Sequence, residues 1–176
     1  MSRIYNLQTD EKGWFTEGAF ESTSIFPGEM NILIFVDDGA TIEYAEKCIE
    51  HYQKLVDRET FCAELNKKLG NFFLYMYEEW TSMGMPIYDE IVEQLKPVME
   101  GYCSGKKLTD YLEGPTLCVY APQESGIGYG IECDCPWEPE HKCLMIVRDD
   151  ALLYVGPSNG LDAWCKDDEY YCIWND

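Results

Sequence analysis

The hydrophobic positions of this chain change period twice, and each change marks a boundary between kinds of element. Near the start the apolar residues come in short runs. "GWFTEGAF" (13–20) is brief and aromatic, while "NILIFVDDG" (31–39) is a continuous apolar run closed by Asp37, Asp38 and Gly39. That is the pattern of a buried strand ending in a turn. From Thr41 the period becomes helical. Thr41 is placed to cap a helix on which Ile42, Ala45, Ile49, Tyr52 and Val56 recur. Asp57 is placed to cap a second, whose Phe61, Leu65, Leu69, Phe72, Met76 and Trp80 form one long apolar stripe. The stripe reads as core packing, with nothing in it that points to a cofactor. Gly70 inside it costs about 1 kcal/mol against alanine and allows a kink. "MGMPI" breaks the pattern, and a third helix carries Ile87, Ile91, Leu95 and then Val98 or Met99. Pro97 cannot donate to the helical ladder, so this helix is expected to end or bend near Lys96. "GYCSGKK" (101–107) then reads as loop.

After Gly114-Pro115 the period drops to two. "TLCVYAP" is strand-like, and in "GYGIECDC" the residues Tyr129, Ile131, Cys133 and Cys135 share one face. "KCLMIVR" and "ALLYVG" are two further strands separated only by Asp149 and Asp150, which suits a tight hairpin. The tail "LDAWCKDDEYYCIWND" mixes acid with aromatics, and no internal repeat or low-complexity linker interrupts the chain. N-terminal strands, a central block of about three helices and a C-terminal antiparallel meander packed with them define an α+β class. At 176 residues, 1–176 is expected to form a single domain with an ordinary core.

Charge narrows the function classes. Acidic residues outnumber basic ones 33 to 13, a formal charge of -20, while the apolar fraction of 46% argues against disorder. Such a surface repels phosphate backbones and anionic headgroups, so no nucleic acid and no membrane is expected as a partner. A basic protein would be steered toward it by the same field. The opening "MSRIYNLQTDEKGWF" has no apolar run resembling a secretory signal, and no stretch approaches the ~20 apolar residues of a membrane span. Nine cysteines, an odd number scattered through every kind of segment, read as reduced thiols packed as small hydrophobes. The expected location is the cytoplasm.

Chemistry-bearing residues concentrate in "CDCPWEPEHKC" (133–143). Cys133, Cys135, His141 and Cys143 could surround a tetrahedral zinc ion if the turn brings two strand faces together, as a metal-binding module or metal-dependent hydrolase. The spacing argues the other way. Structural zinc sites use ligands two to four residues apart on a tight knuckle, and alternating cysteines also simply fill the core face of a sheet. A catalytic thiol would need a base, and only His51 and His141 exist. Glu138 and Glu140 are a close carboxylate pair, but in a chain with 33 acids such a pair is expected to be solvated. "GIGYG" lacks the lysine and helix start of a phosphate loop. No cofactor is implied and no enzyme is expected.

The segment "GIGYGIECDCPWEPEHKCLMIVRDDALLYVGPSNGLDAW" is similar to the C-terminal signature of an uncharacterised bacterial domain family. Its pattern is a Trp-acidic-x-Glu-His-Gly turn, a strand, a charged hairpin and a strand ending in Val-Gly. Here the matching residues are Trp137, Glu138, Glu140 and His141, then Arg148-Asp149-Asp150 and Tyr154-Val155-Gly156; Lys142 stands where the family has glycine. "NILIFVDDG" and the helices after it resemble the family's N-terminal half. The family resembles immunity-type proteins of bacterial toxin systems in size, acidity and lack of a catalytic signature. The resemblance thus implies an antitoxin-like protein that covers a basic toxin domain. For the turn itself two roles are open. Trp137 and His141 are either buried and hydrogen-bonded to fix the connection, or part of a recognition patch. The first predicts a buried imidazole.

Overall fold

Helical and strand-like stretches separate in sequence but not in space. In the computed structural model, which describes residues 2–175, the strands from both ends of the chain form one seven-stranded sheet. The elements are β1 (Tyr5–Thr9), β2 (Thr16–Ser22), β3 (Gly28–Ile34), α1 (Ile42–Gln53), α2 (Glu59–Ser82), α3 (Pro86–Cys103), β4 (Glu113–Val119), β5 (Gly128–Asp134), β6 (Cys143–Arg148) and β7 (Ala151–Pro157). Strands pair in chain order, and every pair is antiparallel except β3–β4. The exception has a simple cause. Hairpins join antiparallel strands, whereas a parallel pair needs a long crossover, and the three helices supply it. The fold is therefore α+β, with the expected C-terminal meander continuing the N-terminal strands. β1 escaped the sequence reading because its segment is largely exposed and lacks an apolar face.

Local sequence explains most element ends. The Thr41 hydroxyl accepts from the Tyr44 amide, capping α1 as expected. The buried face of α1 is Tyr44, Ala45, Cys48, Ile49 and Tyr52, while Ile42 and Val56 are exposed. Val56 lies in a separate 3-10 turn (Leu55–Asp57), where the α-helical period no longer holds. Asp57 belongs to that turn too and does not cap α2; Arg58 stands at the cap position without a side-chain cap bond. On α2 the stripe Phe61, Leu65, Leu69, Phe72 and Trp80 is buried and Met76 is half-buried. No kink is needed at Gly70, since α2 runs unbroken past it. A Cβ there would stand 2.7 Å from the Tyr102 hydroxyl of α3, so glycine permits the close approach of two helices.

Pro97 does not end α3, which continues to Cys103 and takes in the first residues of the expected loop. Pro97 and Glu93 are both exposed, so the carbonyl deprived of its helical donor faces water. On the same helix Ile91 is half-buried and Leu95 and Val98 are buried, while the side chain of Ile87 lies outside the described residues. At the other end, Arg148 pairs with Ala151 across Asp149, whose φ of 50° supplies the left-handed turn residue. Among the described residues no helix is long and apolar enough to cross a membrane.

One face of the sheet carries the main core against the helices, including Phe20, Ile32, Leu117, Tyr129, Ile131 and Met145. On the opposite face the residues after β7 fold back over the last strands. There Leu144, Ile146, Tyr154, Ala163, Tyr170 and Cys172 form a second apolar cluster. The Trp174 indole donates to the Val155 carbonyl at 3.1 Å, occupying the outer edge of β7. Over β1–β4 that second face stays open, as a shallow depression of about 560 Å³.

Candidate functional site

The β5–β6 connection is a hydrogen-bonded turn with its largest side chain underneath. Trp137 is completely buried, its ring centroid 5.3 Å from Phe73 and 6.4 Å from Phe72 of α2. Its carbonyl accepts from the Trp80 indole at 2.9 Å, while its own Nε1 has no partner among the described residues. The Glu138 amide donates to the Cys135 carbonyl, and the Lys142 amide donates to the Glu138 carbonyl. The His141 carbonyl accepts from the Ser158 amide, tying the turn to the end of β7. This bonding requires Lys142 to adopt φ 62°, the left-handed region that favours glycine.

The buried polar member of the turn is Glu138, not His141. The Glu138 side chain is 7% exposed and that of His141 58%. One carboxylate oxygen of Glu138 accepts from the His141 amide at 3.3 Å and lies 3.0 Å from Nδ1 of the same residue. The expected buried imidazole is thus corrected: the carboxylate sits beneath the turn because only an acceptor there can satisfy turn amides. Glu140 is exposed.

The zinc reading fails on the same geometry. Cys133, Cys135 and Cys143 are buried together, with Cys133 directly opposite Cys143 across the ladder. His141 is at the surface and bonded to Glu138, so the four do not converge. Among the described residues no group of three or more His, Cys, Asp or Glu side chains could hold a metal ion. A hydrogen bond with Cys135, then burial, holds the Cys143 thiol well above its ordinary value, and burial pushes Cys133 up as well.

A polar network that the sequence did not reveal lies at the other end of β5 and β6. His51 of α1 places Nδ1 2.8 Å from the Tyr129 hydroxyl and Nε2 3.1 Å from Asp150 Oδ1; Arg58 pairs with that same oxygen. The Arg58 hydrogen bond first, then His51, hold the Asp150 carboxyl below the usual range. Tyr129 is fully buried, and desolvation keeps its hydroxyl well above the ordinary value. The network clamps the Asp149-Asp150 hairpin to α1 and to the residue that precedes α2.

The open sheet face is built by register. Ala19, Asn31, Thr116 and Glu132 form one cross-strand row, and Glu17, Leu33 and Cys118 the next. Glu21 and Glu29 pair at its edge, where the Tyr5 hydroxyl lies 3.0 Å from a Glu29 oxygen and 3.3 Å from a Glu21 oxygen, either of which can accept its one proton, and is pushed up to about 12 by desolvation and those carboxylates. Phe35 and Tyr120 stack at 4.2 Å on this side. The cation among the residues lining the depression is Lys142, whose Nζ lies 3.0 Å from Glu132 and 3.8 Å from Asp134. Beyond Lys142 a second, smaller depression of about 330 Å³ borders the β5–β6 turn.

Residues 4–162, all seven strands and all three helices, match the model of a family described as Domain of unknown function (DUF6985). The chain belongs to the DUF6985 family. No curated protein and no solved structure matches it. The motif turn and the open sheet face both fall inside the DUF6985 span, whereas the segment from Ala163 onward that covers β5–β7 lies beyond it.

Proposed function

We propose that this DUF6985 protein is a non-enzymatic docking module for a basic protein, acting in the cytoplasm as an antitoxin-like cover for a basic toxin domain. The observation that carries the reading is the open face of β1–β4. It presents Glu17, Glu21 and Glu29 of β2 and β3 with a stacked aromatic pair, and is bordered by Glu132 of β5 and by Lys142 as the cation along the depression. The same face is covered over β5–β7, so the opening is local. A formal charge of -20 extends the attraction beyond direct contact, to about one Debye length of ~8 Å at physiological salt. All nine cysteines are free thiols, which supports a reducing compartment.

Purified basic proteins, including any encoded beside this chain, provide the test. The immobilised protein should retain at least one of them at low salt. Replacing Glu17 and Glu29 by glutamine should weaken that retention roughly five-fold and flatten its salt dependence. Retention of none, or retention indifferent to both substitutions, overturns the reading.

A further inference from the structure

We propose that the outer edge of β1 pairs with an extended basic segment of the partner, which adds to the sheet as an eighth strand; this specifies how the docking proposed above is made and rests on that reading. The two edges of the sheet differ. At β7 the Trp174 indole and the Cys172 thiol both donate to the Val155 carbonyl, so the chain's own tail occupies that edge. At β1 nothing does so. Among the described residues, no group outside the β1–β2 ladder bonds to the backbone of Tyr5–Thr9, and four of its five residues are exposed. An unpaired row of amides and carbonyls is a template for another strand.

Most features that blunt an edge are absent from this one. Lysine, proline and inward-pointing charges commonly guard exposed strands. Tyr-Asn-Leu-Gln-Thr has none of these, although 26% of the chain is charged. Its one guard is a bulge: the register slips between Tyr5 and Gln8, and Asn6 takes φ 56°. A bulge twists the edge and so works against the straight, rigid edge of a second folded copy. A flexible segment can follow the twist. The formal charge of -20 repels a second copy as well, and draws a basic segment instead.

Register gives the chemistry of that segment. Neighbouring strands lie ~4.8 Å apart, so a strand beside β1 is about 10 Å from β2. On the open face its side chains pass over Asn6 and Gln8, which are neutral, toward Glu17 and Glu21 of β2. Tyr5 shows that such a reach is practicable: from β1 its hydroxyl comes to 3.0 Å from Glu29 of β3, also two strands away. Lysine, on its flexible four-carbon stem, and arginine have a comparable reach. Leu7 is 39% exposed and lies over Gly18, on the face opposite Glu17 and Ala19. Residues of a strand alternate faces, so the matching segment alternates basic with apolar residues.

The test uses two capped peptides, Lys-Val-Lys-Val-Lys-Val-Lys and the same sequence N-methylated at every residue, each titrated into the full chain and followed by NMR. Methylation keeps the charge and the side chains but removes every backbone donor, and the protein itself is left unaltered. The unmodified peptide should bind saturably at low salt and slow solvent exchange several-fold at the β1 amides that point away from β2. The methylated form should bind about ten-fold more weakly and leave that exchange unchanged. A Glu-Val counterpart of the same length should not bind. Equal affinity of the two lysine peptides, no gain in protection along β1, or protection by the glutamate peptide overturns the proposal. Equal affinities would leave charge-driven docking in place, and that reading stands or falls on the retention experiment above.

Discussion

At the residue scale, burial ranks the side chains of the motif turn. Trp137 fills core space against Phe72 and Phe73, so Trp137→Ala should cost about 3–5 kcal/mol. Glu138→Ala strips the turn of an acceptor beneath it and should cost about 1–3 kcal/mol. His141→Ala removes one exposed donor while the backbone amide remains, a loss of about 0.5–1.5 kcal/mol. Urea denaturation of the three variants should preserve that order; a His141 variant weaker than the Glu138 variant would contradict it. The Trp137 burial was legible because a large apolar ring beside a strand has few other places to go. Which of Glu138 and His141 went under the turn was not legible, because both are polar and three residues apart. The clamp of His51 on Asp150 spans 99 positions and depends on where α1 crosses the sheet, a fact no local pattern carries. That clamp has a pH signature. Asp150 is held below its unfolded value, so its contribution is present above about pH 4 and is lost as pH falls through the lower folded value. Asp150→Asn should therefore flatten the acid limb of a stability–pH curve.

At the scale of elements, the two hydrophobic periods placed three helices and six of the seven strands. What they could not place was the joint between the halves of the sheet. The parallel β3–β4 pair is made across the whole helical block, and its register of Asn31 with Thr116 has no local signal. Nor could single-residue rules anticipate context: Pro97 is tolerated because it lies on the wet side of α3, and Gly70 serves a neighbour rather than a kink. The β5–β6 turn shows the converse, a local rule broken at a modest cost. Lys142 takes the left-handed conformation at a position where the family resemblance expects glycine. Lys142→Gly should relieve strain of about 1–2 kcal/mol and forfeit a partly exposed ion pair of about 0–1 kcal/mol. The expected net is a stabilisation of about 1 kcal/mol, measured as a higher urea midpoint with unchanged slope. A lower midpoint would mean that the Glu132 pair outweighs the strain.

At the scale of the whole molecule, the proposed docking makes one field act on stability and on recognition with opposite signs. A formal charge of -20 on 176 residues makes the folded chain repel itself, and the ion pairs that offset this are mostly exposed and short-ranged. Added salt screens the long-range repulsion more than it weakens close pairs, so folding should gain. On the docking reading proposed above, the same screening removes the attraction for a basic partner, so binding should lose. A single sodium chloride series at pH 7, from about 10 mM to about 500 mM, separates the two effects. The thermal midpoint of the free protein should rise by a few degrees, while retention of a basic partner falls by an order of magnitude or more. If the midpoint instead falls with salt, local ion pairs such as Arg58–Asp150 outweigh net repulsion. If retention is indifferent to salt, the partner is held by apolar contacts, and the carboxylates of β2 and β3 are solubilising rather than recognising.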